Sequence, residues 1–356
     1  MSLKPFLFAT LAALALALPA CEDLFWEEEM QGTPTETFDF LWNKVDRQYA
    51  FFDVKQVDWQ QVYDSLRPKV SDDISDDSLF HLMGRMLNTL NDGHANLISP
   101  FDLSYSDAVY RKMEQQKNVD KQVVNLHYLH IADDHYHKTG GIAHHELRNG
   151  TIAYWSYSSF EGKADSATLS YLTQHYAQAK GIVLDLRQNK GGYIANVWNL
   201  LNLLPNDGQV LYRTQIKSGA GHEAFGPLKE VRAPKRSVSY GNYQKPVMVL
   251  VDRGSYSATS FFALCTKAYA HVQLIGDTTG GGLGLPNGGQ LPNGWIYRFS
   301  LTRTLSPKGM NYENGVPPDH YLRLDPKATA QGKDNLIEYA CDLIENQTSM
   351  EAASRK

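Results

Sequence analysis

The sequence predicts an α/β fold, in which helices cover a sheet whose strands are buried. Three apolar runs, at residues 181–186, 247–251 and 272–275, have the length of buried strands. Helical patterns at residues 193–204 and 257–269 follow the first two runs. Because strands that alternate with helices form a sheet with helices packed on it, the pattern indicates an α/β fold.

The chain begins with a segment that we interpret as a targeting signal. Lys4 precedes a short apolar run at residues 6–18 and two small residues, which is the pattern of a signal peptide over residues 1–20. The run Leu-Pro-Ala-Cys at 18–21 resembles a bacterial lipobox, so Cys21 would begin the mature chain and carry its lipid anchor. The alternative is ordinary cleavage, which would leave Cys21 an unmodified residue.

Helical periodicity predicts a small helical N-terminal subdomain over residues 36–92. Its first helix covers residues 37–52, and its second begins after Asp58, a capping residue with Gln61 three positions later. The third has Asp76 and Asp77 as cap candidates and apolar residues at helical spacing. It leads into a turn of Asn, Asp, Gly and His that ends at His94.

Between the predicted anchor and the C-terminus, the remaining boundaries are set by changes of pattern. The acidic residues 21–35 predict a tether, residues 93–330 the main core, and residues 331–356 a C-terminal helix and tail. Within the core, a strand is predicted at 152–155 and a helix at 165–180.

Residues 100–150 are polar, poorly periodic and rich in histidine. A metal site there is one interpretation and a solvated β-hairpin is the other, which we favour because no Cys or tight carboxylate set completes a site. The histidines concerned are His127, His130, His135, His137, His144 and His145.

Composition excludes some classes of function. The net charge is −5 and no Lys/Arg run is present, which argues against a nucleic-acid partner. Apart from Cys21, only Cys265 and Cys341 are present, both in apolar helical patterns, and we interpret them as buried free thiols. A disulfide between them stays open as an alternative in an oxidising compartment. We predict no metal site and no cofactor.

The strongest chemical signal is the junction at residues 250–260, where a buried strand ends in a turn with two serines and an apolar helix begins. Side chains at the carboxyl end of such a strand face the crevice where α/β proteins build their sites. Ser257, at the helix start, lies near free backbone N–H groups that can hold an oxyanion. The plainer interpretation is that Ser255, Ser257 and Thr259 only cap the helix.

Three further motifs are weaker when each is taken alone. Residues 185–192 run from a buried strand into paired glycines, which can be a ligand turn or simply a tight turn. His94 has the side chain of a general base, although a lone histidine is more often structural. Residues 313–319 can form a plain turn before a final strand.

Together, in this order, the four motifs resemble peptidase family S41, which includes the carboxy-terminal processing proteases and the tricorn core. The resemblance covers residues 36–325 and implies a crotonase-like (ClpP/crotonase-type) α/β core that hydrolyses peptide bonds through an acyl-enzyme. Ser257 matches the nucleophile, and His94 the base of the tricorn-like branch. Glu313 matches an acidic partner in that branch. The amide of Ala258, with that of Gly191 or Gly192, matches the oxyanion hole.

The chain departs from the family pattern at two points. Gly282 stands where the processing-protease branch has the lysine of a Ser/Lys dyad, so the resemblance favours a Ser/His mechanism here. The interval between His94 and Thr151 is too short for the PDZ domain that the family often carries, so a preference for C-terminal tails is not implied.

We therefore predict a serine-type endopeptidase of the bacterial cell envelope, an outer-membrane lipoprotein that acts on a peptide or protein substrate. The alternative is a non-catalytic peptide- or ligand-binding lipoprotein on the same fold. The presence of both His94 and Glu313 favours the peptidase, because a pure binding protein has no need of a base.

Overall fold

The computed structural model describes residues 31–132, 136–234 and 240–354, and its central feature is a seven-stranded mixed sheet. The strands of the described residues are β1 (Asn96–Ile98), β2 (His137–Thr139), β3 (Ile142–Leu147), β4 (Ile152–Ser156), β5 (Ile182–Asp185), β6 (Val210–Ile216), β7 (Lys229–Arg232), β8 (Val247–Val251), β9 (Val272–Gly276), β10 (Pro286–Gln290), β11 (Ile296–Ser300), β12 (Thr302–Leu305) and β13 (His320–Tyr321). The helices are α1 (Pro34–Gln48), α2 (Phe52–Lys55), α3 (Trp59–Leu66), α4 (Asp76–Asn88), α5 (Asp107–Gln115), α6 (Lys121–His127), α7 (Ser166–His175), α8 (Ile194–Leu201), α9 (Ala258–Thr266), α10 (Pro326–Ala330) and α11 (Asn335–Ser354).

The central sheet has the order β13-β9-β8-β5-β4-β3-β2. The five strands from β13 to β4 run parallel, and β3 and β2 add an antiparallel hairpin at one edge. In register, Asp185 lies beside Leu250, so the turns that follow β5 and β8 leave the sheet side by side. The α/β prediction is confirmed, and the two chemical motifs on these turns become neighbours.

Helices cover both faces of this sheet. On one face α7, α8 and α9 pack on Trp155, Leu184 and Val249, and on the other α6 and α11 pack on Tyr154, Val183 and Met248. Every side chain of β8 is buried, because a central parallel strand is covered on both faces. Burial of each large apolar side chain stabilises the fold by roughly 1.5–3 kcal/mol.

A second core lies under the N-terminal helices. Helices α1 to α4 pack around Phe38, Leu41 and Met83, and this cluster also contains Trp295 and Phe299 from the segment of β11. Strand β11 pairs with β1 and β10 in a separate three-stranded sheet. The core beneath the N-terminal helices therefore includes residues from the C-terminal half of the chain, and β1, which follows His94, is anchored to that core.

The first predicted helix differs from the structure at both ends. It begins at Pro34, behind a capping box of Thr33 and Glu36, and it ends at Gln48 instead of continuing to residue 52. Tyr49 is extended, and the amide of Ala50 donates to Ser300 O at 3.1 Å. The helix stops because this tertiary hydrogen bond requires extended backbone.

The caps of the next helices were predicted with mixed success. Asp58 caps α3 as predicted, with its carboxylate accepting from the amide of Gln61 at 2.9 Å. The prediction that Asp76 or Asp77 caps α4 is wrong, because Ser75 Oγ accepts from the amide of Ser78 at 3.3 Å and the two aspartates lie in the first turn.

In the core, the predicted strands and helices after residue 151 are confirmed, with ends that move by up to five residues. Cys265 and Cys341 are free and buried, as expected for packed thiols. Helices α5 and α6 fill part of the interval 100–150 that lacked a clear pattern. Helix α5 gave no recognisable pattern in the sequence because it has only one buried residue, Met113, and therefore no apolar stripe.

Within the described residues, no helix is both long and apolar enough to cross a membrane. The predicted signal peptide, Cys21 and most of the tether lie outside the described residues, as does His135.

Candidate active site

Ser257 occupies a strained backbone position between β8 and α9. Its φ is 56° and its ψ is −118°, a conformation that costs a non-glycine residue of order 1–3 kcal/mol and that surrounding contacts must enforce. Its amide donates to Gly281 O at 2.9 Å, and the amide of Tyr256 donates to Asn189 O at 3.0 Å. The hydroxyl of Ser257 makes no cap to the helix. The strain aims this hydroxyl away from the helix start.

Ser255, two residues earlier, is fully buried and held by the main chain. Its Oγ donates to Leu186 O at 2.8 Å and accepts from the amide of Asp252 at 3.0 Å. It therefore ties the turn after β8 to the turn after β5.

His94 reaches Ser257 from a chain segment 163 residues away. Its Nε2 lies 2.9 Å from Ser257 Oγ. The turn that carries it is fixed by Asp92, whose Oδ1 accepts from the amide of His94 at 2.8 Å. The other oxygen of Asp92 accepts from the hydroxyl of Tyr49 at 3.0 Å. Asp92 therefore positions the main chain of His94 and does not contact the ring.

Burial lowers the pKa of His94 below its usual value, and the negative charge of Asp92 opposes this only in part. The imidazole is therefore neutral at neutral pH and can accept a proton through Nε2. Nδ1 is buried and makes no hydrogen bond of normal geometry among the described residues, although the main chain of Gly284 lies close enough to raise the pKa of the ring a little. No carboxylate of the described chain holds the ring directly.

Glu313 is buried close to this pair. Its Oε2 accepts from the amides of Leu283 at 2.7 Å and Gly284 at 3.0 Å, and its Oε1 lies 3.9 Å from Lys55 Nζ. Burial, followed by the charge of Asp92, raises the pKa of Glu313 to about 8, although Lys55 and the two amides oppose the rise.

Lys55 was not predicted as part of the site. It ends the short helix α2, and its Nζ donates to Asn314 Oδ1 at 2.9 Å and to Asn91 O at 3.2 Å. Nothing in the sequence marks this lysine, because its partners lie in distant segments of the chain.

The paired glycines after β5 lie against the serine. A Cβ atom on Gly191, which has φ +99°, would lie 2.9 Å from Ser257 Cβ and 3.0 Å from the amide nitrogen of Ala258. The amide of Gly191 donates to Asn189 Oδ1 at 3.0 Å. The amides of Gly192 and Ala258 donate to no other residue in the part of the chain that the structure describes. These two amides are free to receive an oxyanion.

Asp252 joins the two turns, and it too was not predicted. Its Oδ1 accepts from the amide of Gln188 at 2.9 Å, and its Oδ2 from the side-chain amide of Gln188 at 2.8 Å. Gln188 has a positive φ of 59°, so this carboxylate stabilises a second strained residue next to the glycine turn.

Comparison with known proteins decides the family. The family model described as Peptidase family S41 matches residues 151–322, and that of the Tricorn protease C1 domain matches residues 30–88. The chain is 33% identical to a Parabacteroides merdae ATCC 43184 protein whose crystal structure is described as that of a peptidase, with a TM-score of 0.80 over 88% of this chain and 96% of that one. This chain belongs to peptidase family S41.

Two further relatives are more distant. Carboxy-terminal processing protease CtpB of Bacillus subtilis (strain 168) is 24% identical over 49% of this chain and 34% of its own length. The chain thus spans about a third of the length of the curated relatives it matches. A Streptococcus agalactiae lipoprotein shares the fold, with 17% identity and a TM-score of 0.52 over 85% of this chain and 96% of that chain. The α/β fold with its large mixed sheet is that of S41 peptidase structures.

Gly282, where the resemblance leads us to expect a dyad lysine, lies against Tyr256. Gly282 has φ +73°, and a Cβ atom on it would lie 2.6 Å from Tyr256 Cε2 and 2.7 Å from the Tyr256 hydroxyl. Tyr256 is buried, and its ring lies 5.2 Å from that of His94, centroid to centroid. In this S41 chain the ring of Tyr256 fills the space that a lysine side chain would need.

Three histidines of the histidine-rich segment, His137, His144 and His145, lie in a hairpin of β2 and β3 at the far edge of the sheet, whereas His127 ends α6. Among the described residues, no group of three or more His, Cys, Asp or Glu is placed to hold a metal ion. The interpretation of a β-hairpin agrees with the structure, although His144 is buried in it and not solvated.

Proposed function

We propose that this chain is a serine-type endopeptidase that works through an acyl-enzyme, with Ser257 as nucleophile and His94 as base. The observation that carries the proposal is the 2.9 Å contact between Ser257 Oγ and His94 Nε2. It joins a strained serine at a helix start to a buried, neutral imidazole, which is the geometry that activates a hydroxyl. Membership of family S41 supports the same reaction class.

In the proposed reaction, Ser257 Oγ attacks the carbonyl carbon of a peptide bond while His94 Nε2 takes its proton. The tetrahedral intermediate collapses when His94 gives this proton to the leaving amine and the C–N bond breaks. Water, deprotonated by His94, then attacks the acyl-enzyme and releases the new carboxyl group. The steps need no cofactor.

We assign the oxyanion hole to the amides of Ala258 and Gly192. The amide of Gly191 already donates to Asn189, so its part is to allow close approach of the main chain to Ser257. Loss of one oxyanion donor typically costs about 100- to 1000-fold in rate.

We propose that Glu313 acts on His94 through the loop it holds, because its raised pKa leaves it largely uncharged at neutral pH. Its Oε2 fixes the amides of Leu283 and Gly284, and no hydrogen bond joins it to the ring among the described residues. This role differs from that of an acid bonded directly to the base, as in a Ser-His-Asp triad.

We further propose a crotonase-type core with a helical N-terminal subdomain, attached to the cell envelope as an outer-membrane lipoprotein. The location rests on the signal-peptide pattern and on Cys21. Membrane fractionation of cells that carry Cys21→Ser tests it. The variant is expected to become soluble or to stay unprocessed, and a processed variant that still sediments with membranes would contradict the lipid anchor.

A fluorophosphonate probe tests the catalytic proposal against the binding alternative. The wild-type chain is expected to be labelled on Ser257, and Ser257→Ala to be unlabelled. A folded wild-type chain that resists the probe would favour the non-catalytic binding protein, which has no activated serine.

A further inference from the structure

A cavity of about 440 Å³ opens beside the proposed catalytic pair. It is lined by Gly93 and Tyr256, the chain neighbours of His94 and Ser257, and by Gly282 and Glu313. Its outer wall comes from α2 and α5. A cavity of this size is in the range that binds small ligands or substrate side chains.

The lining of this cavity carries an excess of positive charge. Lys55, Lys112 and Arg253 all line it, and Glu313 is its only carboxylate among the described residues. Both oxygens of Glu313 are already engaged, since its Oε2 accepts from two loop amides and its Oε1 lies 3.9 Å from Lys55 Nζ.

Two of the three cations have no acidic partner. Lys112 is exposed and forms no ion pair within the described chain. Arg253 donates from Nη1 to Thr279 O at 3.0 Å and to Asn314 O at 2.9 Å, and its buried Nε has no partner among the described residues. A guanidinium fixed by two carbonyls, with donors left over, is prepared for an anion.

The two helices of the outer wall also supply apolar lining. Val54, Val109 and Met113 line the cavity, which therefore offers an aliphatic surface next to the cations. A carboxylate on a short hydrocarbon stem matches both parts, because the stem packs on the apolar lining while the charge meets the cations.

We propose that this cavity is a substrate subsite that selects an acidic side chain, Glu or Asp, close to the scissile bond. The inference rests on the proposed peptidase function and names a substrate class for the same site. Lys112 and Arg253 are its specificity-determining residues, and neither takes part in the bond-breaking steps.

The test is digestion of a random peptide library, with cleaved sites read by mass spectrometry. One arm compares Glu and Asp with Gln and Asn at each position around the cleaved bond, and a second compares peptides ending in a free carboxylate with peptides ending in an amide. Wild type is expected to prefer Glu and Asp in the first arm, and a preference confined to the second arm would overturn the subsite.

Lys112→Glu is expected to reduce the preference about five- to 25-fold, since loss of one charge near an exposed site is worth up to about a fivefold change and charge reversal doubles the free energy, which squares that factor. Arg111→Glu is the matched control, because Arg111 is the adjacent exposed cation on α5 and does not line the cavity. It should leave the preference unchanged.

The outcomes separate the two proposals. Cleavage that depends on Ser257 but shows no carboxylate preference, or a preference that Lys112→Glu leaves intact, overturns the subsite alone. Absence of cleavage above the Ser257→Ala background overturns the proposed function and the subsite with it.

Discussion

Two regions of this molecule carry histidine next to hydroxyl groups, and they differ in what those hydroxyls are free to do. In the hairpin, both ring nitrogens of His144 are held, by Thr139 Oγ1 at 2.9 Å and by the Tyr176 hydroxyl at 2.9 Å. At the proposed active site, His94 has one nitrogen on Ser257 Oγ, and the other makes no hydrogen bond of normal geometry among the described residues.

The electrostatics of the two histidines are alike, which makes the comparison useful. Burial lowers the pKa of both rings, that of His144 to about 4, where the neighbouring histidines add to the effect of burial. A shifted pKa therefore does not distinguish a base from a packed ring. The difference lies in the partner, since Ser257 has a strained backbone that leaves its hydroxyl uncapped, while Tyr176 packs as a core aromatic.

The largest expected effect comes from the two serines of the catalytic turn. Ser257→Ala should reduce kcat/KM by at least about 10⁴-fold, because no other group can form the acyl-enzyme. Ser255→Ala is the matched control. It should lower the free energy of unfolding by about 1–3 kcal/mol through its lost buried hydrogen bonds, and keep most of the activity. Peptide hydrolysis and chemical denaturation measure the two quantities. If Ser255→Ala folded but had no activity, Ser255 and not Ser257 would be the nucleophile.

Replacing His94 should mainly reduce the rate, whereas replacing His144 should mainly reduce the stability. His94→Ala is expected to lose about 10²- to 10⁴-fold in rate, the usual contribution of a general base. His144→Ala should change the rate little and the stability by about 1–3 kcal/mol, because it leaves a buried Tyr176 hydroxyl unpaired. If the hairpin variant, while still folded, lost activity as strongly as His94→Ala, the distinction drawn from their partners would be wrong.

Restoring the lysine of the processing-protease branch should not restore a Ser/Lys dyad. Gly282→Lys is expected to destabilise the fold by about 1–3 kcal/mol through overlap with Tyr256, in addition to the cost of its positive φ. It should not rescue His94→Ala.

Gly309→Lys supplies the matched control for that variant. Gly309 has φ +83° and nothing within 4 Å of its Cβ position, so it shares the backbone cost without the overlap. Equal stabilities of the two lysine variants in thermal unfolding, or activity regained by the double variant His94→Ala with Gly282→Lys, would contradict the account of Tyr256.

The smallest expected effects concern pH. Activity needs neutral His94, and burial lowers its pKa, so the acid limb of kcat/KM should lie below about pH 6.5. Glu313, with a pKa of about 8, should add an inflection on the alkaline side that Glu313→Gln removes while the acid limb stays in place. A profile of kcat/KM against pH for both chains checks this. An acid limb above pH 7 would exclude a desolvated His94 as the base.

Much of the fold was predictable because buried strands and the helices that cover them have characteristic spacings of apolar residues in the sequence. Strand β8 was predicted with its observed ends, since every one of its residues is apolar and buried. The end of α1 was not, because the amide of Ala50 bonds to Ser300, and no local pattern encodes a partner 250 positions away. The missed helix α5 has too few buried residues to leave a stripe.

The sequence by itself determined the residue types of the site and their order along the chain, because strand ends, paired glycines and a helix start are local patterns. The tertiary structure alone decided how they meet. It placed His94 within hydrogen-bond distance of Ser257, and it gave Ser257 a strained φ at which the hydroxyl does not cap the helix. It also buried Ser255 in the interior. It likewise placed Lys55 and Asp252 at the site and packed Tyr256 against Gly282. Those outcomes depend on distances between residues far apart in the chain, and such distances are fixed only when the cores pack.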